Sequence, residues 1–151
     1  RVVPVIGDLT QPGLGVSAAD NDKLRGQVKH FFHLAAVYDL EAGESEQVMA
    51  NVEGTRNAMG AAEAFSAGCF HHMSSIAAAG MYPGIFREDM FEEAEKLDDP
   101  YLRTKHESEG LVRKQCRELK VGVSTLSPLI MLLMPWIIWP IRMGWMENVS
   151  T

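Results

Sequence analysis

A tyrosine and a lysine stand four positions apart in the segment DDPYLRTKHESE, at Tyr101 and Lys105. Residues four apart lie on the same face of an α-helix, about one turn from each other, so the two side chains can act together. A neighbouring ammonium favours the phenolate form of a tyrosine, which makes such a pair a usable proton donor or acceptor. The spacing alone is common, however, because a tyrosine packed beneath a solvated lysine has the same pattern.

Two adjacent hydroxyl groups add to this chemistry. Ser74 and Ser75 follow the short apolar run AGCFHHM, which is typical of a buried strand. A hydroxyl at the carboxyl end of a strand is well placed to orient a reacting oxygen for a proton donor.

The elements that must position these groups alternate between strand and helix. Strands are predicted at residues 28–34, 67–75 and 121–126, and helices at 46–65 and 100–119. Asp99 is the predicted N-cap of the last helix and Pro100 its first residue. Repeated strand-then-helix units predict an α/β fold with a mainly parallel sheet that binds its ligands beyond the carboxyl ends of the strands.

Composition and charge exclude several classes of protein. A net charge of −6 without a basic cluster argues against nucleic-acid binding. Two cysteines, Cys69 and Cys116, lie in unrelated contexts, which favours a reducing cytoplasm and argues against a disulfide scaffold. His71 and His72 are adjacent on a strand and face opposite sides, and His30 and His33 lack a partner at ligand spacing, so no metal site is predicted.

The composition changes sharply near the end of the chain. Residues 121–141 carry no charge, and the three tryptophans lie between positions 136 and 145. About twenty uncharged residues are long enough to span a membrane, but Pro128, Pro135 and Pro140 and the polar STLS weaken that interpretation. The alternative, which we favour, is a buried strand followed by apolar chain that packs on another surface.

The order of motifs resembles the extended short-chain dehydrogenase/reductase family. GDL follows an apolar run, HLAA ends a strand, NVEGTRN lies on the next helix, SS ends a strand and Y-x-x-x-K opens a helix. The phrases HLAAVYD, NVEGT and PYLRTKHESE look most like its thioester-reductase and fatty-acyl-CoA-reductase-like branch. The resemblance runs from residue 2 to about residue 128.

The resemblance implies a role for each matching residue around NAD or NADP. Tyr101 would exchange the substrate proton and Lys105 would bind the nicotinamide ribose, with Ser75 as the catalytic hydroxyl and Asn51 holding the lysine through water. The implied cofactor contacts at the adenine are Asp8 and Leu9, and those along the ribose and phosphate path are Leu34, Ala35 and Ala36. Near the nicotinamide end they are Tyr101, Lys105, Pro128 and Ser74, which lies beside Ser75.

The resemblance is partial, and it divides the chain into two regions. Residues 1–128 would form a partial NAD(P)-binding, Rossmann-like domain that lacks the first βαβ phosphate-binding unit, and residues 129–151 an atypical Trp- and Met-rich tail. The family's first two strands would lie between residues 2–6 and 28–34, so we expect the strand-like residues 2–6 either to pair directly with 28–34 or to stay unpaired. The segment GLGVSA at residues 13–18 matches the G-x-G-x-x-A pattern of dinucleotide-binding turns. Because a DLTQP linker separates it from the preceding apolar run, it is predicted to be a surface turn.

Three functions are compatible with these observations. The first is an NAD(P)-dependent oxidoreductase that acts on a small-molecule carbonyl, thioester or alcohol. The second is a non-catalytic fragment, truncated or frame-disrupted, whose tail drives membrane association or self-association. The third is a nucleotide-sugar epimerase or dehydratase. The resemblance also allows a homodimer that pairs through the helices carrying Asn51 and Tyr101.

Overall fold

A parallel sheet of three strands in the order β1–β2–β3 organises the molecule. In this computed structural model, which describes residues 1–37, 43–119 and 122–126, the strands are β1 (His30–His33), β2 (Cys69–Met73) and β3 (Gly122–Leu126). Phe31 pairs in register with Phe70, and Phe70 with Val123. The α/β fold and the three predicted strands are confirmed, although β1 and β2 are shorter than predicted.

Two of the helices begin at side chains that cap their first amides. Ser17 caps α1 (Ala18–Leu24) by accepting a hydrogen bond from the Asp20 amide. A continuous helical segment consists of α2 (Glu44–Gln47), a π-helical turn (Val48–Glu53) and α3 (Gly54–Ala64). The last helix is α4 (Pro100–Leu119), and Asp99 caps it by accepting hydrogen bonds from the amides of Tyr101 and Leu102 at 2.8 and 3.2 Å. The predicted cap is therefore confirmed.

Strand alternation gives the sheet two unlike faces. One face of the sheet contributes to the packed interior through Phe31, His33, Phe70 and His72. Phe70 belongs to one buried apolar cluster with Ala58, Met59 and Ala62 of α3 and Val112 of α4. We call this the covered face. The other face carries His30, Phe32, Cys69 and His71, and Phe32 remains 54% exposed. We call this the open face.

Residues 2–6 do not form a strand, which corrects their interpretation as strand-like and leaves the unpaired alternative. Val2 and Ile6 are 91% and 92% exposed, and no strand among the described residues pairs with them. Apolar composition alone was an insufficient guide there.

The GLGVSA segment is a surface turn, as predicted. Its first residues belong to a short 3₁₀ turn (Pro12–Gly15), and Gly13, Leu14 and Gly15 have positive φ. The turn is joined to the preceding chain by the Asp8 amide, which donates to the Leu14 carbonyl at 2.7 Å.

The described residues contain no helix that is both long and apolar enough to cross a membrane. Most of the uncharged segment 121–141, Pro128 and the tail 129–151 lie outside the described residues, so the division at residue 128 and the membrane alternative for the tail remain predictions.

Candidate active site at the carboxyl edge of the sheet

Ser75 and Tyr101 line the same cavity, which has a volume of about 740 Å³. Ser75 follows β2 and caps a 3₁₀ turn (Ile76–Ala79), where its hydroxyl accepts a hydrogen bond from the Ala77 amide at 3.2 Å. Tyr101 lies in the first turn of α4. The cavity walls also include Gly80, Met81, Lys96 and Asp98, so the acidic segment before α4 borders it.

Lys105 lies one turn after Tyr101 and is buried. Its ammonium donates to the Met73 carbonyl at 3.1 Å, which fixes the amine at the end of β2. Burial lowers the pKa of Lys105, because a low-dielectric surrounding disfavours the charged form, and the nearby Glu109 partly opposes this effect.

The two serines have different surroundings. Ser74 is buried and its hydroxyl donates to the Glu109 carboxylate. Ser75, in contrast, borders the cavity. Ser74 thus joins the end of β2 to α4, whereas Ser75 lies at the cavity wall. The catalytic role of Ser75 and the cofactor contact of Ser74 remain predictions.

Asn51 connects the end of β1 to α4. Its amide oxygen accepts from the Val37 amide at 2.9 Å, and its amide nitrogen donates to the Val37 carbonyl and to the Thr104 hydroxyl, both at 3.2 Å. Asn51 therefore bonds the residue next to Lys105. It lies within the π-helical turn, a distortion that is often found at functional sites.

Two buried histidines lie beneath this edge. Thr55 donates its hydroxyl proton to the Asn51 carbonyl at 2.7 Å, so His33 must donate from Nε2 to Thr55 at 3.0 Å. Burial, with a smaller contribution from the Lys105 charge, lowers the pKa of His33 to about 4. The same causes, together with His33, lower the pKa of His72 to about 3, and neither ring nitrogen of His72 has a hydrogen-bond partner among the described residues.

We call residues 80–99, between the 3₁₀ turn and α4, the cavity loop; it is fastened at its base and at its side. Gly80 pairs with Glu95, and the Met81 amide donates to the Glu95 carbonyl at 2.8 Å. Arg113 donates to Glu109 at 2.7 Å and to the Glu88 carbonyl at 3.1 Å, and its guanidinium lies 5.1 Å from the centre of the Phe91 ring. Glu109 on α4 thus bonds Ser74 directly and is linked to the cavity loop through Arg113.

Sequence reasoning missed Glu109 and Arg113. Their spacing of four on a helix was a usable signal for an ion pair, but the contacts of Glu109 with Ser74 and of Arg113 with residues 88 and 91 depend on tertiary packing.

The predicted cofactor residues occupy three places. Leu34 is half-buried, and Ala35 and Ala36 are exposed, just after β1 at the same sheet edge. The Leu9 carbonyl accepts from the Asn57 side chain at 2.9 Å, and a Cβ on Gly54 would lie 2.7 Å from the Leu9 side chain, so this glycine allows Leu9 to approach α3. Asp8 is exposed, and hydrogen bonds from Thr10 lower the pKa of its carboxyl group. Pro128 lies outside the described residues.

The chain is similar to several known proteins. A family model described as male sterility protein, of the NAD-binding type, matches residues 1–151. A linear gramicidin synthase of Brevibacillus parabrevis is 32% identical over 117 residues, which are 74% of this chain and 2% of that protein. The chain therefore spans a small part of this relative.

Solved structures show the same likeness. The terminal R domain of the myxalamid PKS-NRPS pathway superposes with a TM-score of 0.71 at 27% identity, over 83% of this chain and 32% of that one. A dTDP-glucose 4,6-dehydratase, DesIV of Streptomyces venezuelae, solved with NAD bound, superposes with a TM-score of 0.59 at 25% identity, over 80% of this chain and 36% of that one. The fold is shared by a thiolation-reductase di-domain from an archaeal non-ribosomal peptide synthetase. That structure superposes with a TM-score of 0.66 at 18% identity, over 83% of this chain and 27% of that one. The motif order, the parallel sheet and these matches show that the chain belongs to the NAD-binding male sterility protein family, in the thioester-reductase-like branch of the extended short-chain dehydrogenases/reductases.

Proposed function

We propose that this chain carries the acid–base residues of an NAD(P)-dependent reductase that acts on an acyl thioester or on the corresponding carbonyl. The observation that carries the proposal is the convergence of Ser75 and Tyr101 on one cavity, with Lys105 one helical turn away. The similarity to the linear gramicidin synthase and to the myxalamid R domain supports a thioester as the substrate class.

The residues at this edge are compatible with the nicotinamide end of the cofactor. Ala35 and Ala36 are small and exposed after β1, which leaves space beside the sheet edge, and Lys105 supplies a positive charge there. The nicotinamide ribose would be held by Lys105 and Tyr101. The ribose and phosphate path would be bordered by Leu34, Ala35 and Ala36, with Ser74 nearby. The adenine would be bordered by Asp8 and Leu9. When bound, the nicotinamide donates or accepts a hydride.

The protein side chains would orient the substrate and supply the proton. The Ser75 hydroxyl would hydrogen-bond the substrate oxygen and fix its orientation in the cavity. The Tyr101 hydroxyl would donate its proton to that oxygen, and the Lys105 charge would stabilise the phenolate that remains. Asn51 would position Lys105 indirectly, through its hydrogen bond to Thr104.

The substitution Tyr101→Phe tests the proposal. We expect the protein that carries this sequence to lose at least about 100-fold in thioester-dependent NADH or NADPH oxidation, while its free energy of unfolding changes by less than about 1 kcal/mol. Tyr82→Phe is the matched control, because Tyr82 lies in the cavity loop, where its ring contacts Phe86. Equal activity of Tyr101→Phe and wild type would refute the assignment of Tyr101.

Cofactor binding is a separate test. Saturation-transfer NMR with NADH and NADPH should show contacts from the nicotinamide protons, and these should weaken in Tyr101→Phe but not in Tyr82→Phe. The absence of any transfer at millimolar cofactor would favour the non-catalytic alternative for the 151-residue chain.

A nucleotide-sugar epimerase or dehydratase is the second candidate, favoured by the superposition on DesIV. This reaction regenerates its cofactor, so incubation with a nucleotide sugar would give product without net NADH or NADPH consumption. Stoichiometric cofactor oxidation with a thioester would instead support the reductase.

A further inference from the structure

The open face of the sheet brings together three side chains that are far apart in the sequence. His30 pairs in register with Cys69 on the neighbouring strand, and side-chain alternation places His71 on the same face as Cys69. The sequence predicted no metal ligands here, because no spacing along one strand indicates them. Pairing of β1 with β2 supplies the proximity that the spacing lacks.

The donor atoms are close enough to share one ion. His30 Nδ1 lies 3.0 Å from His71 Nε2, and one donor atom from each of His30, Cys69 and His71 lies within 4.8 Å of the others. In a tetrahedral zinc site, bond lengths of about 2.0–2.1 Å to nitrogen and about 2.3 Å to sulfur require separations of about 3.4 Å between nitrogens and about 3.6 Å between nitrogen and sulfur. Side-chain adjustments of about 1 Å therefore complete the geometry.

A neighbouring ring orients one of the ligands. Phe32 stacks on His71 with ring centres 4.4 Å apart and an angle of 12° between the planes. The stacking restricts rotation of the His71 imidazole, so part of the entropic cost of ordering this ligand is already met in the fold.

We propose that His30, Cys69 and His71 bind Zn²⁺. Two imidazole nitrogens and one thiolate suit this borderline-soft ion, whereas Mg²⁺ and Ca²⁺ prefer oxygen donors. Because His30 is exposed, the fourth position is accessible to water or to an external ligand. The site lies on the opposite face from His33 and His72 and shares no residue with the cavity, so it is independent of the proposed reductase function.

Titration of the full 151-residue chain with Co²⁺, followed by competition with Zn²⁺, tests the proposal. We expect one equivalent of Co²⁺ to produce visible bands of tetrahedral geometry and a thiolate-to-cobalt charge-transfer band, both removed by Zn²⁺. Cys69→Ser should abolish the charge-transfer band, and His30→Gln should weaken Zn²⁺ binding by about 10-fold or more. Cys116→Ser, which changes the other cysteine, is the matched control and should keep both the band and the affinity.

Either of two results would overturn the proposal: unchanged Zn²⁺ affinity in His30→Gln, or a charge-transfer band that survives in Cys69→Ser and disappears in Cys116→Ser. His30 is exposed, so His30→Gln retains the fold, as far-UV circular dichroism should verify, and it decides the question even if Cys69→Ser fails to fold. Neither result depends on reductase activity.

Discussion

Each face of the sheet carries a pair of histidines, and the two pairs have opposite environments. His33 and His72 lie on the covered face, where burial lowers their pKa values to about 4 and about 3. His30 and His71 lie on the open face, with a nitrogen–nitrogen distance of 3.0 Å between their rings. The same two strands therefore hold the same residue type in two settings: buried, neutral residues on one face and the proposed metal-binding donors on the other.

The largest expected difference between the faces is in packing. Phe70→Ala should lower the free energy of unfolding by about 3–5 kcal/mol, because it leaves a cavity between the sheet, α3 and α4. Phe32→Ala, one register position away on the open face, should cost less than about 1 kcal/mol. Urea unfolding of both variants measures the difference, and similar losses would mean that the open face is covered in solution.

The next effect is a loss of stability in acid. The folded-state pKa values of His33 and His72 lie below the unfolded value of 6.5, so the unfolded chain binds more protons as the pH falls. Stability from these groups is complete above pH 6.5 and is lost as the pH falls toward 4 and 3. Between about pH 6.5 and about pH 4.5 we expect a loss of about 2–3 kcal/mol for each histidine, measured by urea unfolding at each pH.

A flat stability profile over that range would contradict the assignment of both histidines as buried and neutral. His71→Phe is the matched control for this experiment. The His71 ring lies on the open face and is less buried than His72, so this variant should keep most of the pH dependence of the wild type.

The smallest expected effect is a gain in the free energy of unfolding at neutral pH. His72→Phe should raise the free energy of unfolding at pH 7 by about 1 kcal/mol, because it removes two buried nitrogens that lack a partner among the described residues. The same variant should remove about half of the acid dependence. Thermal melts at pH 7 and pH 5 measure both effects, and a destabilised variant at pH 7 would indicate that the His72 nitrogens have partners in solution.

Much of the fold followed from local signals in the sequence. Asp99 and Pro100 predicted the start of α4, the AGCFHHMSS run predicted β2, and the small residues after β1 marked the sheet edge. These predictions succeed because capping and strand alternation depend on residues close together in the chain. The capping pair Ser17 and Asp20 was an equally local signal for α1, and it was overlooked.

The failures concern contacts between distant residues. Residues 2–6 look like a strand, but a strand needs a neighbour, and none is paired with them among the described residues. The different surroundings of Ser74 and Ser75 depend on the Ser74 contact with Glu109, and the proximity of the donors on the open face depends on the register between β1 and β2. A π-helical turn at Asn51 likewise has no sequence signature, since Val48–Glu53 has an ordinary helical composition.

The pairing of Gly80 with Glu95 has a consequence for how this protein can diversify. Gly80 has a φ of +63°, and a Cβ there would lie 2.0 Å from the Glu95 carbonyl oxygen, so a glycine is required at this point. Between this pair and the contacts that Glu88 and Phe91 make with Arg113, residues 82–87 can be exchanged, added or removed while Ser75 and Tyr101 keep their places, and the entropic cost of a longer loop grows only with the logarithm of its length. This part of the loop can therefore change in length and composition beside the cavity, whose wall includes the neighbouring Met81, without any change in the acid–base residues.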